Sequence, residues 1–480
     1  MRSAYALLST TILFLTAGLL VYSQTQAFSL DEGFHLLAAQ LIKAGKTPYL
    51  DFCFPQPPLN TYLNAGLMRT FGDGWRVPHV IAALAVSGAV MLTSTFVFSR
   101  FPIAQWRLVC AFISACMVGL SVPVVQFGTV QAYGLSLLLV VAGFRVILRS
   151  AETGTVFWPF AAGLLAGAAA ASSLLTAPVT PVLLIWLLFY NRDGNRWAKS
   201  IAVALGAAIP FFPVLLLFMK APSVVFFNIV QYQVQYRRVN WGEVNFHDLD
   251  VVTAWVDSSP ALMIGLLAIA GCLLLRADNR FDRVRRAEFY LSGWLAVALT
   301  AYLCLARPTF ERYFLLVVPF YAMLACVGLY AVASRFGFGD RPLWPAALVT
   351  SLLCLGLAKR LFDDRTSYTW SDYQQIADKV DQVTPREAAL WADEVIYFLT
   401  RRTPPSGMEF SYSHKLRLPA PRAASLHIIS QTEIDARLKA GAFATVATCA
   451  DDDEVERLGL RRIYAHRAEV SECQIFWGKR

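Results

Sequence analysis

Long apolar runs alternate with short polar connections over the first 358 residues, and beyond them the alternation stops. A helix needs about 20 apolar residues to cross a bilayer. Eleven runs approach that length: 4–22, 77–99, 108–126, 130–148, 156–172, 175–190, 200–219, 260–275, 288–306, 313–333 and 342–358. The fifth and sixth come from one stretch, TVFWPFAAGLLAGAAAASSLLTAPVTPVLLIWLLFYN, which is too long for a single helix and is divided at its polar, proline-bearing SSLLTAP. The side of the membrane assigned to everything after it depends on that division. The pattern predicts a polytopic α-helical membrane protein of about eleven spans over 1–358, with a first outer loop at 23–76.

From 359 to 480 the sequence is charged and of mixed period. TWSDYQQIADKVDQV and SQTEIDARLKAG read as amphipathic helices, the second opened by a capping box of Ser430 and Glu433. The β-rich runs SLHII, FATVATC and LRRIYAH alternate with them, which predicts a small α/β domain. No internal repeat or low-complexity segment interrupts either part.

Composition agrees with the membrane reading: of 480 residues 56% are hydrophobic and 16% charged, with a mean hydropathy of +0.49. The net charge of +9 is not a nucleic-acid signal, because the basic residues are scattered singly between apolar runs rather than gathered on one face. It is a topology signal. Arg2, Arg100, Arg107, Arg145, Arg149, Arg192, Arg196, Lys199, Arg276, Arg280, Arg283, Arg285, Arg286, Arg335 and Arg341 all fall in connections on one side, whereas the short connections at 127–129 and 173–175 carry none. The positive-inside rule then puts the loop after the first run, the segment 220–259, the turn ARPTFERY and the whole tail outside the cytoplasm, as in a bacterial inner-membrane protein. Thr25 and Ala27 also permit the first run to be a cleaved secretory signal, which leaves the sidedness of the rest unchanged.

Of nine cysteines, Cys110, Cys116, Cys272, Cys304, Cys326 and Cys354 lie inside apolar runs, where a thiol packs as a small hydrophobe. No CxxC pair or Cys/His spacing suggests zinc. Cys449 and Cys473 lie in the tail, and a disulfide and two free thiols are both open for them.

Three clusters carry candidate chemistry. The first, SLDEGFHLLAAQLIKAGKTPYLDFCFPQPP, follows the first run directly. Ser29 and Glu32 have capping-box spacing, and Asp31 suits a helix N-terminus. Asp31 also stands at the mouth of whatever cavity the spans form, with His35 one turn on along the same face, so its carboxylate can take a proton from a hydroxyl. The helix stops at Gly45, PYLDF and FPQPP form a stiff crossing, and LNTYLNAGLMRTFG is a second amphipathic helix. A lipid-binding loop without catalysis is the competing reading.

The second cluster, around Gln231, Tyr232, Gln235, Tyr236, Arg237, Arg238 and Trp241, joins aromatic faces to paired guanidinium groups suited to phosphate or to headgroup anchoring. His247 nearby is a lone loop histidine, more often structural than a metal ligand. The third, ARPTFERY, sets Arg307, Glu311, Arg312 and Tyr313 at the outer end of two spans. Arginine there opposes the positive-inside trend and calls for a negative partner, which Glu311, Asp31 or a ligand phosphate would equally supply.

The order of apolar run, SLDEG, amphipathic helix, GKTPYLDF, PQPPL, second amphipathic helix and span, with the late ERYFLLVVPFY, resembles the GT-C membrane glycosyltransferases. The branch is that of the bacterial relatives of dolichyl-phosphate-mannose protein mannosyltransferases and of the aminoarabinose transferase. The resemblance covers about 1–358 and is most specific in 29–63. It implies a polyprenyl-phosphate-linked sugar donor entering from the bilayer and inverting transfer to a hydroxyl acceptor on a lipid, glycan or protein. It also implies Asp31 as the base and Arg312, beside Tyr313, as the holder of the donor phosphate, helped by Arg237 or Arg238. Glu32, His35, Asp51, Gln56 and Tyr62 would orient substrate. Some relatives place Glu, His or Lys just before the loop proline; this chain has Gln56, Pro57 and Pro58, so a metal or lysine there does not carry over, and a divalent cation stays open.

Two other classes compete with a transferase. A transporter or lipid flippase would carry mid-membrane charges or broken helices in paired halves, and here the charges gather at the outer face. A polysaccharide polymerase or ligase would carry its large outer loop late in the chain, not after the first span.

Overall fold

The computed structural model describes the chain apart from residues 1, 26–28, 131–132, 191–194, 237–240, 368, 450–451 and 472. Of residues 2–4, 29–30, 151, 241–244, 255–257 and 366 the backbone alone is described. Every apolar run forms helix. Among the described residues seven helices are long and apolar enough to cross a membrane, and eight if Ala104–Gly119 and Val122–Gly128 make one span bent by 53°. The expected count of eleven is not confirmed. Phe157–Ser172 and Leu174–Tyr190 are apolar but shorter, because the divided stretch spends residues on its break: Ser173 is extended (φ −155°), and a 3-10 turn at Leu174–Thr176 precedes Pro178.

The chain forms two compact units, each assembled from separated stretches. The first comprises 1–24, 79–213 and 241–366 and holds most of the apolar helices. Small residues let its backbones approach closely, as membrane helix packing requires. A Cβ on Gly163 would lie 2.1 Å from the Val203 carbonyl oxygen, one on Gly167 2.2 Å from that of Ala207, and one on Gly328 1.7 Å from that of Leu267. Lys199, fully buried, donates to the carbonyls of Ser150 at 2.7 Å and Thr153 at 2.9 Å. A cation thus caps the C-terminal end of helix Gly134–Glu152, where unpaired carbonyls and the helix dipole favour it.

The second unit comprises 25–78, 214–240 and 367–480. The loop after the first apolar run therefore folds with the tail. Their apolar side chains share one core, in which Leu36, Leu37, Tyr49, Phe52 and Phe54 pack with Val380, Tyr397 and Ile475. The helix Ser29–Lys43 ends just before Gly45 (φ +95°), and the second loop helix, Leu59–Phe71, ends at Gly72 (φ +89°). Both glycines adopt the left-handed backbone that residues with a Cβ resist. Trp75 stacks on Trp370 at 4.5 Å, joining the end of the loop to the first tail helix.

The tail sheet has the order β1 (Leu390–Trp391), β2 (Thr445–Thr448), β4 (Cys473–Lys479), β3 (Tyr464–Val470). β1 runs parallel to β2, and β4 is antiparallel to both β2 and β3. FATVATC supplies β2 as expected. SLHII is not a strand: His427 takes φ +55°, which breaks an extended run. LRRIYAH is divided between a short helix, Leu460–Ile463, and the start of β3, after Gly459 at φ +71°. The amphipathic helices are present as Trp370–Val383 and Gln431–Lys439, and Ser430 accepts the Glu433 N–H. Cys449 and Cys473 are joined as a disulfide.

Candidate active site

In the second unit, helix Ser29–Lys43 carries Asp31, Glu32 and His35. The three do not share an environment. Asp31 is half-buried, whereas Glu32 is 2% and His35 5% exposed. His35 stacks on Phe34 at 4.3 Å and meets the edge of Phe54 at 5.9 Å. Burial in that aromatic setting pulls its imidazole down to about 4, against the opposing pull of the Asp31 carboxylate, so His35 is neutral at physiological pH. Gly33, between them, lets the helix seat on a tail helix, Glu394–Thr400: a Cβ there would lie 3.0 Å from the Val395 backbone nitrogen. The Ser29 side chain lies outside the described residues, and with it the expected capping box.

The crossing after this helix is held by groups the sequence did not single out. The Asn228 side-chain oxygen accepts the Phe54 N–H at 2.9 Å, and Gln233 donates to the Pro55 carbonyl at 2.8 Å. Asn228 sits in a π-helical turn, Phe227–Gln231, a form of backbone recurrent at functional sites. The Tyr49 hydroxyl donates to the Gln56 carbonyl at 2.7 Å. Asp51 is exposed, and its carboxylate accepts the Thr47 N–H at 2.6 Å, closing the turn around Tyr49, whose φ is +71°. Gln56 and Tyr62 are half-buried, and burial raises the Tyr62 hydroxyl. Tyr232 stacks on Tyr236 at 5.6 Å. Arg237 and Arg238 lie outside the described residues.

Two buried acids of the tail also went unnoticed. Glu394 accepts the Ser411 N–H at 2.7 Å, and its carboxyl is pushed up to about 7 by burial. Glu409 accepts the Gly407 N–H at 2.7 Å, has Lys46 at 3.8 Å, and is raised by burial. The available signal was the pair Asp393–Glu394 heading an otherwise apolar helix, EVIYFLT.

In the first unit the turn ARPTFERY is pinned to helix Trp241–Asp257. Asp248 accepts the Thr309 N–H at 2.7 Å, His247 bonds the Thr309 carbonyl at 3.1 Å, and Arg307 donates to Asn245. His247 is thus a structural histidine, and among the described residues no three His, Cys, Asp or Glu side chains gather as a metal site. The Arg312 guanidinium lies over Phe310 at 3.8 Å and near the Tyr313 ring at 5.5 Å. Glu311 faces Arg360 at 3.8 Å, and Arg360 in turn holds Asp364 at 3.0 Å. Glu311 and Arg360 line a cavity of about 260 Å³ together with Ser121, Tyr321 and Lys359 and with the apolar Ile264, Val318 and Leu353. Charged and hydrocarbon groups lining one cavity are the profile of an amphiphile's seat. Arg360 and Lys359, in the run AKRLFDD at the end of the last span, are further residues the sequence reading passed over.

Similar folds are known. A crystal structure of ArnT from Cupriavidus metallidurans, bound to undecaprenyl phosphate, aligns over 99% of this chain and 99% of its own with a TM-score of 0.68 and 16% identity. The Archaeoglobus fulgidus oligosaccharyltransferase, complexed with zinc and sulfate, aligns over 83% of this chain and 62% of its own (TM-score 0.54, 16% identity). Its apo form aligns over 84% and 64% (TM-score 0.52, 13% identity). No protein-family model matches the chain, and no curated protein matches it in sequence. The chain therefore has the GT-C fold expected from the resemblance, in a polytopic membrane protein with a small C-terminal sheet domain.

Proposed function

We propose that this chain is an inverting glycosyltransferase that moves a hexose or pentose from a polyprenyl-phosphate donor to a hydroxyl acceptor at the extracytoplasmic face of a bacterial inner membrane. The observation that carries the reading is the selective exposure of Asp31 in a chain of this fold: in DEGFH, Glu32 and His35 are buried and Asp31 keeps access to solvent. A base must meet its substrate, and a carboxylate beside a neutral imidazole is suited to accepting a proton.

In the reaction, the acceptor hydroxyl gives its proton to Asp31 while its oxygen attacks the anomeric carbon. The bond from that carbon to the phosphate oxygen breaks, and the electron pair leaves with the polyprenyl phosphate. Arg312, next to Tyr313 and aided by Arg237 or Arg238, stabilises the charge that grows on the departing phosphate, where electrostatic help is worth most. Asp51, Gln56 and Tyr62 orient the sugar and acceptor. ArnT in the aligned structure holds undecaprenyl phosphate, and the mixed charged and apolar lining of the Glu311–Arg360 cavity suits the same class of lipid. The Cys449–Cys473 disulfide supports placing the tail in an oxidising compartment.

The test is to reconstitute the purified chain with a radiolabelled polyprenyl-phosphate sugar and envelope extract, then follow label into the acceptor fraction. Label moving into a stable glycosidic product with inverted anomeric configuration supports the reading. Label crossing the bilayer still attached to its lipid would replace it with a flippase.

A further inference from the structure

Outside the residues assigned above, the second unit contains an open cavity of about 690 Å³ between the end of the first outer loop and the tail. We infer that this groove binds a phosphate-bearing group through Arg76, Arg386 and Arg401. Two acids also line it, and both are neutralised by cations outside the lining. Lys43 holds Asp73 at 2.8 Å, and Arg402 holds Asp381 at 3.0 Å. With both acids neutralised, Arg386 and Arg401 weight the groove toward positive sign. The Arg76 guanidinium lies over Trp75 at 4.8 Å, a stacked pose that keeps it ordered. Arg386 donates through Nη1 to the Thr400 carbonyl at 3.1 Å, which leaves further donors of its fork available. The Arg401 side chain has no hydrogen bond or ion pair among the described residues.

The backbone at Arg401 gives an independent reason. Helix Glu394–Thr400 ends with Arg401 in the left-handed conformation (φ 54°, ψ 36°). The Arg401 N–H bonds the Phe398 carbonyl at 3.2 Å, and the Arg402 N–H bonds the Tyr397 carbonyl at 3.1 Å. This is the helix ending at which glycine is the usual residue, since a Cβ crowds the chain there. The fold alone would favour glycine. An arginine held there, with its side chain lining a cationic groove, points to work for that side chain, and backbone strain of this kind collects at functional sites. Planar guanidinium forks converging on one groove match phosphate oxygens.

A seat for an anionic part of the acceptor follows if the chain is a glycosyltransferase, and that assignment rests on the reading above; the phosphate binding does not. The full chain in nanodiscs of zwitterionic lipid is titrated with pyrophosphate by calorimetry at low salt. Wild type is expected to bind saturably. Arg401→Gly weakens binding about tenfold or more, the loss of one charge-assisted fork, Arg401→Lys falls between them, and the ligand-free Tm of Arg401→Gly stays level or rises as strain is relieved. Repeating the titration in discs containing phosphatidylglycerol separates the sources. A fall in pyrophosphate affinity confined to wild type assigns the groove to a lipid headgroup, and no change assigns it to a soluble phosphorylated group. Absence of saturable binding by wild type overturns the proposal, as does undiminished affinity in Arg401→Gly. A drop in Tm without a drop in affinity would mean that Arg401 merely complements the helix end. Sugar transfer is read in a separate assay, so failure of either claim leaves the other standing.

Discussion

The side-chain oxygen of Asn228 accepts the backbone N–H of Phe54 at 2.9 Å, and both groups are buried. One amide thus fixes the rigid crossing between the two loop helices to the π-helical turn of a segment far along the chain. Replacing Asn228 with Ala leaves the Phe54 N–H buried without its acceptor, which costs about 1–3 kcal/mol. The expected result is a Tm several degrees below wild type by scanning fluorimetry. An unchanged Tm would show that this bond does not fix the crossing.

Two buried groups of the second unit make stability depend on pH in opposite senses. Glu394 has its pKa raised from 4.5 to about 7 in the fold. Its contribution is therefore fully present below 4.5 and is lost as pH rises to 7, because the unfolded chain releases the proton first. His35 has its pKa lowered from 6.5 to about 4. Below 4 the full penalty of charging the imidazole inside the fold applies, and stability rises from 4 to 6.5 as the unfolded chain ceases to bind the extra proton. Glu394→Gln, which keeps an acceptor for Ser411, should become steadily more stable relative to wild type from pH 4.5 to 7. A difference in Tm that does not vary with pH would contradict the assignment.

Helix packing in the first unit depends on glycine at position 328, where a Cβ would stand 1.7 Å from the Leu267 carbonyl oxygen. Gly328→Leu should force helices Ser259–Ala277 and Val318–Arg335 apart, costing about 3 kcal/mol or more. Gly265→Ala is the matched control, because nothing lies within 4 Å of its added Cβ. Equal melting of the two variants would count against the packing described here.

The Cys449–Cys473 bond closes a sequence separation of 24 residues, a loop for which cross-linking stabilises by about 3 kcal/mol. Cys449→Ser should lower the Tm of the purified protein, and reductant should lower that of wild type but not of the variant. Identical melting with and without reductant would mean the thiols do not pair.

Much of this was legible in the chain. The apolar runs mark every membrane helix because burial in lipid demands length and composition that nothing else imitates. Gly45 and Gly72 mark the ends of the two loop helices, since their left-handed backbone favours glycine. The number of spans was less legible: a hydropathy run does not reveal where Ser173 turns extended and shortens its neighbours. SLHII looked like a strand because composition is blind to the left-handed His427. The two-residue β1 and the β4 strand went unread, the first too short for a pattern and the second interrupted by polar Gln474 and Gly478. At the site, DEGFH named Asp31, but the helix is seated through Gly33 against Val395 and Phe34 against Phe410, more than 350 positions away in sequence. Asn228 was hidden for the same reason: it owes its role to Phe54, 174 positions away.

The most direct measurement compares wild type with Asp31→Asn in single-turnover sugar transfer from a polyprenyl-phosphate donor, with Tm recorded on the same preparations. Asn keeps the shape of the half-buried side chain and removes its basicity, so the rate should fall by about 10²–10⁴-fold with melting unchanged. Transfer at the wild-type rate by a folded Asp31→Asn protein would contradict the account.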